Sequence, residues 1–80
     1  MTYETRIGIE IAGIRRSIPL SFRYRVENIG GIHHPIHDSV FIVNGNKRLP
    51  GEWIYKAIGV RQLKELDGKL LKHWMSGKAA

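Results

Sequence analysis

The chain contains no cysteine. That absence excludes a disulfide scaffold, a thiolate zinc site and a thiol nucleophile, and it fits a reducing compartment. Acids are scarce as well: seven Asp and Glu stand against 13 Lys and Arg, for a formal charge of +6 and a pI near 10.1. No apolar run approaches the ~18 residues that a membrane-spanning helix needs, and the start M-T-Y-E-T-R-I lacks the apolar core of a secretory signal. The sequence therefore reads as cytoplasmic, with no membrane partner. At 42% hydrophobic residues it is not a disordered tail. Its 80 residues make one domain, 1–80, with room for one sheet and one or two helices.

What the chain does have is alternation. From Ser17 to Glu27, Ile18, Leu20, Phe22, Tyr24 and Val26 fall on one side of an extended backbone, and Pro19, Ser21, Arg23, Arg25 and Glu27 on the other. Tyr3 to Ile11 repeats the pattern with Tyr3, Thr5, Ile7, Ile9 and Ile11. Both stretches predict half-buried strands, joined as a hairpin through A-G-I-R-R-S. Pairing Ile11 with Ile18 sets Ile9 against Leu20 and Ile7 against Phe22, and it sets Arg6 against Arg23, a like-charge contact. A slip of one residue would turn one apolar set to water, so the parity is fixed more firmly than the register. Pro19 has no backbone donor, which predicts that its strand is an edge or is bulged there.

Arg15, Arg16, Arg23 and Arg25 lie between Ala12 and Val26 with no acid among them, and Lys47 and Arg48 add to the basic set. Arginine's planar fork suits phosphates and guanine edges, and a two-stranded ribbon fits a DNA major groove. These six residues are the candidate nucleic-acid contacts. The same side chains also suit an acidic protein surface, or simply a solvated sheet face.

Asn28 to Ser39 interrupts the alternation with Gly30-Gly31 and Pro35 and reads as a loop. It holds His33, His34, His37 and Asp38 within six residues. His33 and His37 stand four residues apart, but Pro35 between them is incompatible with a helical H-x-x-x-H pair and no finger pattern is present, so no metal or other cofactor is expected. His37 and Asp38 beside Ser39 share residue types with a hydrolase triad, but no G-x-S-x-G elbow accompanies them, and no enzyme is expected.

Val40 to Val43 is an unbroken apolar run, followed by Asn44-Gly45, a hairpin signal. It predicts strands V-F-I-V and N-K-R-L, with Phe41 in the core rather than serving as an exposed stacking platform. After Pro50-Gly51 the period changes: Glu52 to Ile58 reads as a short helix closed by Gly59. Val60, Leu63, Leu66, Leu70 and Trp74 then form the apolar stripe of a second helix that ends near Gly77, with a break conceivable at Asp67-Gly68. Trp53 and Trp74 are expected to anchor the core. I-Y-K-A-I-G-V-R-Q-L-K-E-L resembles the middle of a helix-turn-helix like that of small basic phage excisionase-type proteins, with Ile58, Gly59 and Val60 at the turn. That resemblance covers about a dozen residues and implies that Arg61, Gln62 and Lys64 face a DNA groove. It departs from the motif at Tyr55 and Glu65.

The fold expected is α+β: an antiparallel sheet of three to five strands in the N-terminal two-thirds, packed against one or two C-terminal helices. The function expected is small, basic nucleic-acid binding through an arginine-rich hairpin, of the sort an accessory or regulatory protein of a phage or mobile element performs. The alternative is a non-enzymatic protein-interaction module, an inhibitor or assembly subunit that uses an edge strand or helix face. A homodimer is a second way to cover the apolar side of the ribbon.

Overall fold

The computed structural model describes residues 1–79, with side chains through Gly77. Four strands, β1 (Thr2–Ile11), β2 (Ile14–Ile29), β3 (Ile32–Asn44) and β4 (Lys47–Pro50), precede one helix, α1 (Ile54–Ala79). The strands form a single antiparallel sheet in sequence order, β1-β2-β3-β4. The expected α+β architecture is the observed one.

The alternating residues of β1 and β2 do what their period requires. Ile9, Leu20, Phe22, Tyr24 and Val40 meet Ile54, Ile58, Leu66 and Leu70 of α1, and none of these nine is more than 6% exposed. Leu63 and Trp74 pack at the margin, whereas Val60 is 70% exposed and Trp53 44% exposed. Trp53 is therefore not the core anchor its size suggested.

The register differs from the expected one by four residues. Ile11 pairs with Ile14, Ile7 with Ile18 and Tyr3 with Phe22. The cause is a connection of two residues rather than six: Ala12 (φ 51°) and Gly13 (φ 77°) both take positive φ, the type I′ pattern that matches strand twist. Alanine seldom adopts that conformation, so the tight turn left no mark in the sequence. Parity is preserved, but Arg6 faces Pro19 and Arg23 faces Thr2, and the expected like-charge contact does not form.

β2 is central rather than an edge, and Pro19 and Pro35 both fit once the hydrogen-bond directions are followed. The Met1 amine donates to the Tyr24 carbonyl at 2.7 Å, and the Tyr24 N–H donates to the Met1 carbonyl at 2.8 Å. Even residues of β2 therefore bond to β1 and odd ones point toward β3. Pro19 points toward β3 just outside the last pair of that ladder, Leu20 with Ile42. Its missing donor has no acceptor to serve. Pro35 sits opposite Val26 in β3, where the same alternation turns its nitrogen to the strand's outer side, beyond the reach of β4. The predicted loop 28–39 is thus mostly strand, reversed only at Gly30 and Gly31 (φ 61° and 85°). A register shift between Arg23/Tyr24 and Ser39/His37 leaves Asp38 as an unpaired bulge residue.

Gly45 alone has positive φ in the β3–β4 turn, so the turn's central residues are Gly45-Asn46, one place later than expected. Gly51 then brings the chain off β4 in close contact with β3, its N–H donating to the Val40 carbonyl at 3.0 Å. Within α1, Gly59 (φ 74°, ψ 173°) breaks the helical path, while the helix runs unbroken through Asp67-Gly68. The break falls where the sequence placed it.

Candidate nucleic-acid interface

α1 covers one face of the sheet and leaves the other uncovered. By strand alternation that open face carries Thr2, Glu4, Arg6 and Gly8 of β1, Arg15, Pro19, Ser21, Arg23, Arg25 and Glu27 of β2, Ser39, Phe41 and Val43 of β3, and Arg48 of β4. Phe41 faces Ser21 on one side and Pro50 on the other, and it is half-buried outside the core cluster. Its expected core position is corrected here: Val40 and Ile42 take the helix side, and the alternation sends Phe41 to the opposite one. The apolar run concealed it, although reading the run two by two would have exposed it.

Phe41 helps form a hollow of about 160 Å³ lined by Thr2, Ser21, Arg23, Phe41 and Arg48. A second hollow of about 250 Å³ adjoins it along the sheet, with Pro19 and Val43 at its floor and Glu4 and Arg6 among its lining residues. Two arginines, two hydroxyls and an aromatic ring therefore share one shallow depression.

Of the six basic residues singled out by sequence, Arg15, Arg23, Arg25 and Arg48 share the open face. Arg16 faces Ile9 on the helix side of β2, and Lys47 lies beside the β3–β4 turn opposite Asn44, on the helix side by parity. Arg6, which sequence reasoning used only for its pairing, joins the four, its Nε donating to Ser17 Oγ at 3.0 Å. Arg15 lies over Gly8, where a Cβ would meet its guanidinium at 3.1 Å.

Acids intervene. Arg25 pairs with Glu27 at 3.0 Å and with the bulge residue Asp38, and Arg48 pairs with Glu4 at 3.5 Å. Arg23 is exposed and carries no ion pair among the described residues. These surface pairs are each worth ~0–1 kcal/mol, so an incoming polyanion competes with them at small cost. The open face sets five arginines against Glu4, Glu10, Glu27 and Asp38, and the larger cation excess lies elsewhere in the chain, much of it on α1, at Lys56, Arg61, Lys64, Lys69 and Lys72.

The histidines do not gather. His37 lies between sheet and helix, its Nδ1 2.9 Å from the Tyr55 hydroxyl and its Nε2 2.6 Å from Asp67 Oδ1. His33 stacks near Trp74 with ring centres 4.9 Å apart, and His73 Nδ1 is 2.5 Å from the Tyr24 hydroxyl. Burial, with Asp67 and Glu52 adding to it, pushes the Tyr55 hydroxyl up to about 12, and burial followed by Tyr3 pushes Tyr24 up as well. These contacts pin α1 to the sheet. Among the described residues no group of three or more His, Asp or Glu side chains could hold a metal ion, and no helix is long and apolar enough to cross a membrane.

The stretch that resembles a helix-turn-helix is built differently. The arm before Gly59 is only Ile54 to Ile58, little more than one turn, and both of those isoleucines are spent on the sheet. Gln62, expected to face a groove, instead donates from Nε2 to the Gly8 carbonyl at 3.3 Å.

Neither protein-family models, curated proteins nor solved structures provide a match to the chain. The functional reading rests on the site itself.

Proposed function

We propose that the chain binds nucleic acid through the open face of its sheet, with Arg23 as the central phosphate contact and Arg6, Arg15, Arg25 and Arg48 around it. The observation that carries this reading is the uncovered face itself, where an aromatic ring and an unpaired arginine share one hollow. The overall charge of +6 steers a polyanion toward the molecule, and the arginine forks fix it at the face. Acids interleaved with the arginines limit the number of simultaneous phosphate contacts to about three to five. With a slope near −0.7 per contact on a single strand and −0.9 on duplex DNA, affinity should then fall roughly 20- to 500-fold between ~50 and ~200 mM salt.

Fluorescence anisotropy with labelled oligonucleotides at those two salt concentrations tests the reading, and Arg23→Ser combined with Arg25→Ser should abolish most of the binding. Salt-independent binding, or none at ~50 mM, sinks it.

A second reading draws on a different observation: β1 is a ten-residue edge strand whose outward backbone groups, apart from the Gly8 carbonyl that Gln62 occupies, face away from the sheet and suit pairing with another chain. The edge expected at β2 is at β1 and β4 instead. A protein-interaction module of this kind forms a complex that survives the double arginine change.

A further inference from the structure

The open face is built for unpaired bases. Resting on the nucleic-acid reading above, we infer that the ligand is single-stranded, with one base stacked on Phe41 and its phosphates on Arg23 and Arg48.

Width decides against a duplex. Four strands spaced ~4.8 Å apart span about 14 Å before any side chain is added, more than the ~12 Å width of a DNA major groove. A flat sheet face of this breadth reaches duplex DNA only at its phosphates, whereas a single strand lies along it and turns its bases inward. Phe41 serves only the second arrangement. Paired bases present their edges in the grooves and keep their faces stacked, so an aromatic ring on a broad surface has nothing to meet; an unpaired base offers a whole π-face to any ring.

The surroundings of Phe41 complete a nucleotide site. Arg23 has no ion pair among the described residues, and Arg48 is held only by Glu4 at 3.5 Å, so one free and one weakly held guanidinium border the ring. The exposed hydroxyl of Thr2 lines the same hollow and is able to donate or accept for a base edge, while Ser21, 2% exposed, is buried in its wall. Val43 follows Phe41 by two residues, about 7 Å along the strand on the same face, and with Pro19 it floors the adjoining hollow. That second hollow, apolar below and with Arg6 beside it, takes the neighbouring nucleotide.

The test compares a 15-nucleotide oligothymidylate, the corresponding oligouridylate and a 15-base-pair duplex by anisotropy at matched salt concentrations of ~50 and ~200 mM, using the intact chain and its Phe41→Ala and Phe41→Tyr variants. The single strands should bind at least about tenfold more tightly than the duplex. Phe41→Ala should weaken them roughly 5- to 100-fold with the salt slope unchanged, because stacking releases no counterions, and Phe41→Tyr should retain most of the affinity. Circular dichroism confirms that both variants fold. A duplex bound as tightly as a single strand, or Phe41→Ala with unaltered affinity, overturns the inference and leaves the nucleic-acid reading standing. Absence of binding to all three ligands overturns both. Sedimentation of the free chain as a dimer that Phe41→Ala dissolves would assign the face to a second copy and likewise overturn it.

Discussion

Phe22 and Phe41 are the two phenylalanines of the chain, they sit on adjacent strands, and they face opposite ways. Phe22 is wholly buried under α1 among Leu20, Tyr24 and Val40. Phe41, next to Val40 in sequence, stands half-buried among arginines and hydroxyls. One residue of offset along a strand separates a side chain that holds the fold together from one that stays outside the core on the open face. The helix-covered face is apolar, with its polar groups satisfied in pairs such as Tyr24–His73 and His37–Asp67; the open face is a mosaic of charges over a small apolar floor.

The largest expected effect lies in that contrast. Phe22→Ala should destabilise the chain by about 3–5 kcal/mol in chemical denaturation, the usual cost of emptying a core aromatic site. Phe41→Ala should cost roughly 1 kcal/mol, in keeping with its partial burial. Equal losses would erase the distinction between the two faces.

Next comes the polar seam under the helix. His37→Ala leaves Tyr55 and Asp67 without their shared partner and should lower stability by about 1–3 kcal/mol. Thermal melts of the variant read this directly. A neutral result would mean that apolar contacts alone seat α1.

Tyr55 gives the seam a pH signature. Its hydroxyl is raised to about 12, above the unfolded value near 10, so the folded state holds that proton more tightly. The stability it contributes is complete below pH ~10 and is lost as the pH climbs through about 12. Denaturation midpoints should drop in that window for the natural chain, and Tyr55→Phe should flatten the drop.

The smallest effects belong to the exposed surfaces. Asp38→Ser, which removes a surface partner of Arg25, should change stability by less than about 1 kcal/mol. By the proposed role of the open face it should also tighten single-strand binding, since it removes a negative charge and leaves Arg25 held by Glu27 alone. Gly68→Ala, where an added Cβ meets nothing within 4 Å, should stabilise α1 by up to about 1 kcal/mol and leave binding untouched.

The fold class and the faces of Ser17 to Glu27 in β2 were legible in the alternation, because burial on one side imposes a period of two. The register was not, since the turn that sets it uses Ala12 at positive φ, a conformation the residue's chemistry does not advertise. β3 hid behind Gly30-Gly31 and Pro35, residues that read as loop formers until the hydrogen-bond directions place Pro35 against an unpaired side. The break at Gly59 was legible because a glycine that closes one apolar stripe and opens another has few other uses. At the candidate site the sequence grouped Arg15, Arg16, Arg23, Arg25, Lys47 and Arg48, of which Arg16 and Lys47 fall on the helix side, and Asp38 and Glu4, which pair with Arg25 and Arg48, come from a bulge and another strand that no local pattern announces. Phe41 was missed for a simpler reason: four consecutive apolar residues resemble a fully buried strand, while this sheet has only one covered face.

The open face and the outer surface of α1 are both cationic, and they point in opposite directions. Amide chemical-shift mapping with a short oligothymidylate at low salt separates them in one experiment. The account predicts that the largest changes fall on Arg23, Phe41 and Arg48 and on their neighbours Thr2, Ser21 and Val43, with Lys64, Gly68 and Lys72 of α1 nearly still. Changes concentrated on α1 with the sheet face unmoved would contradict it.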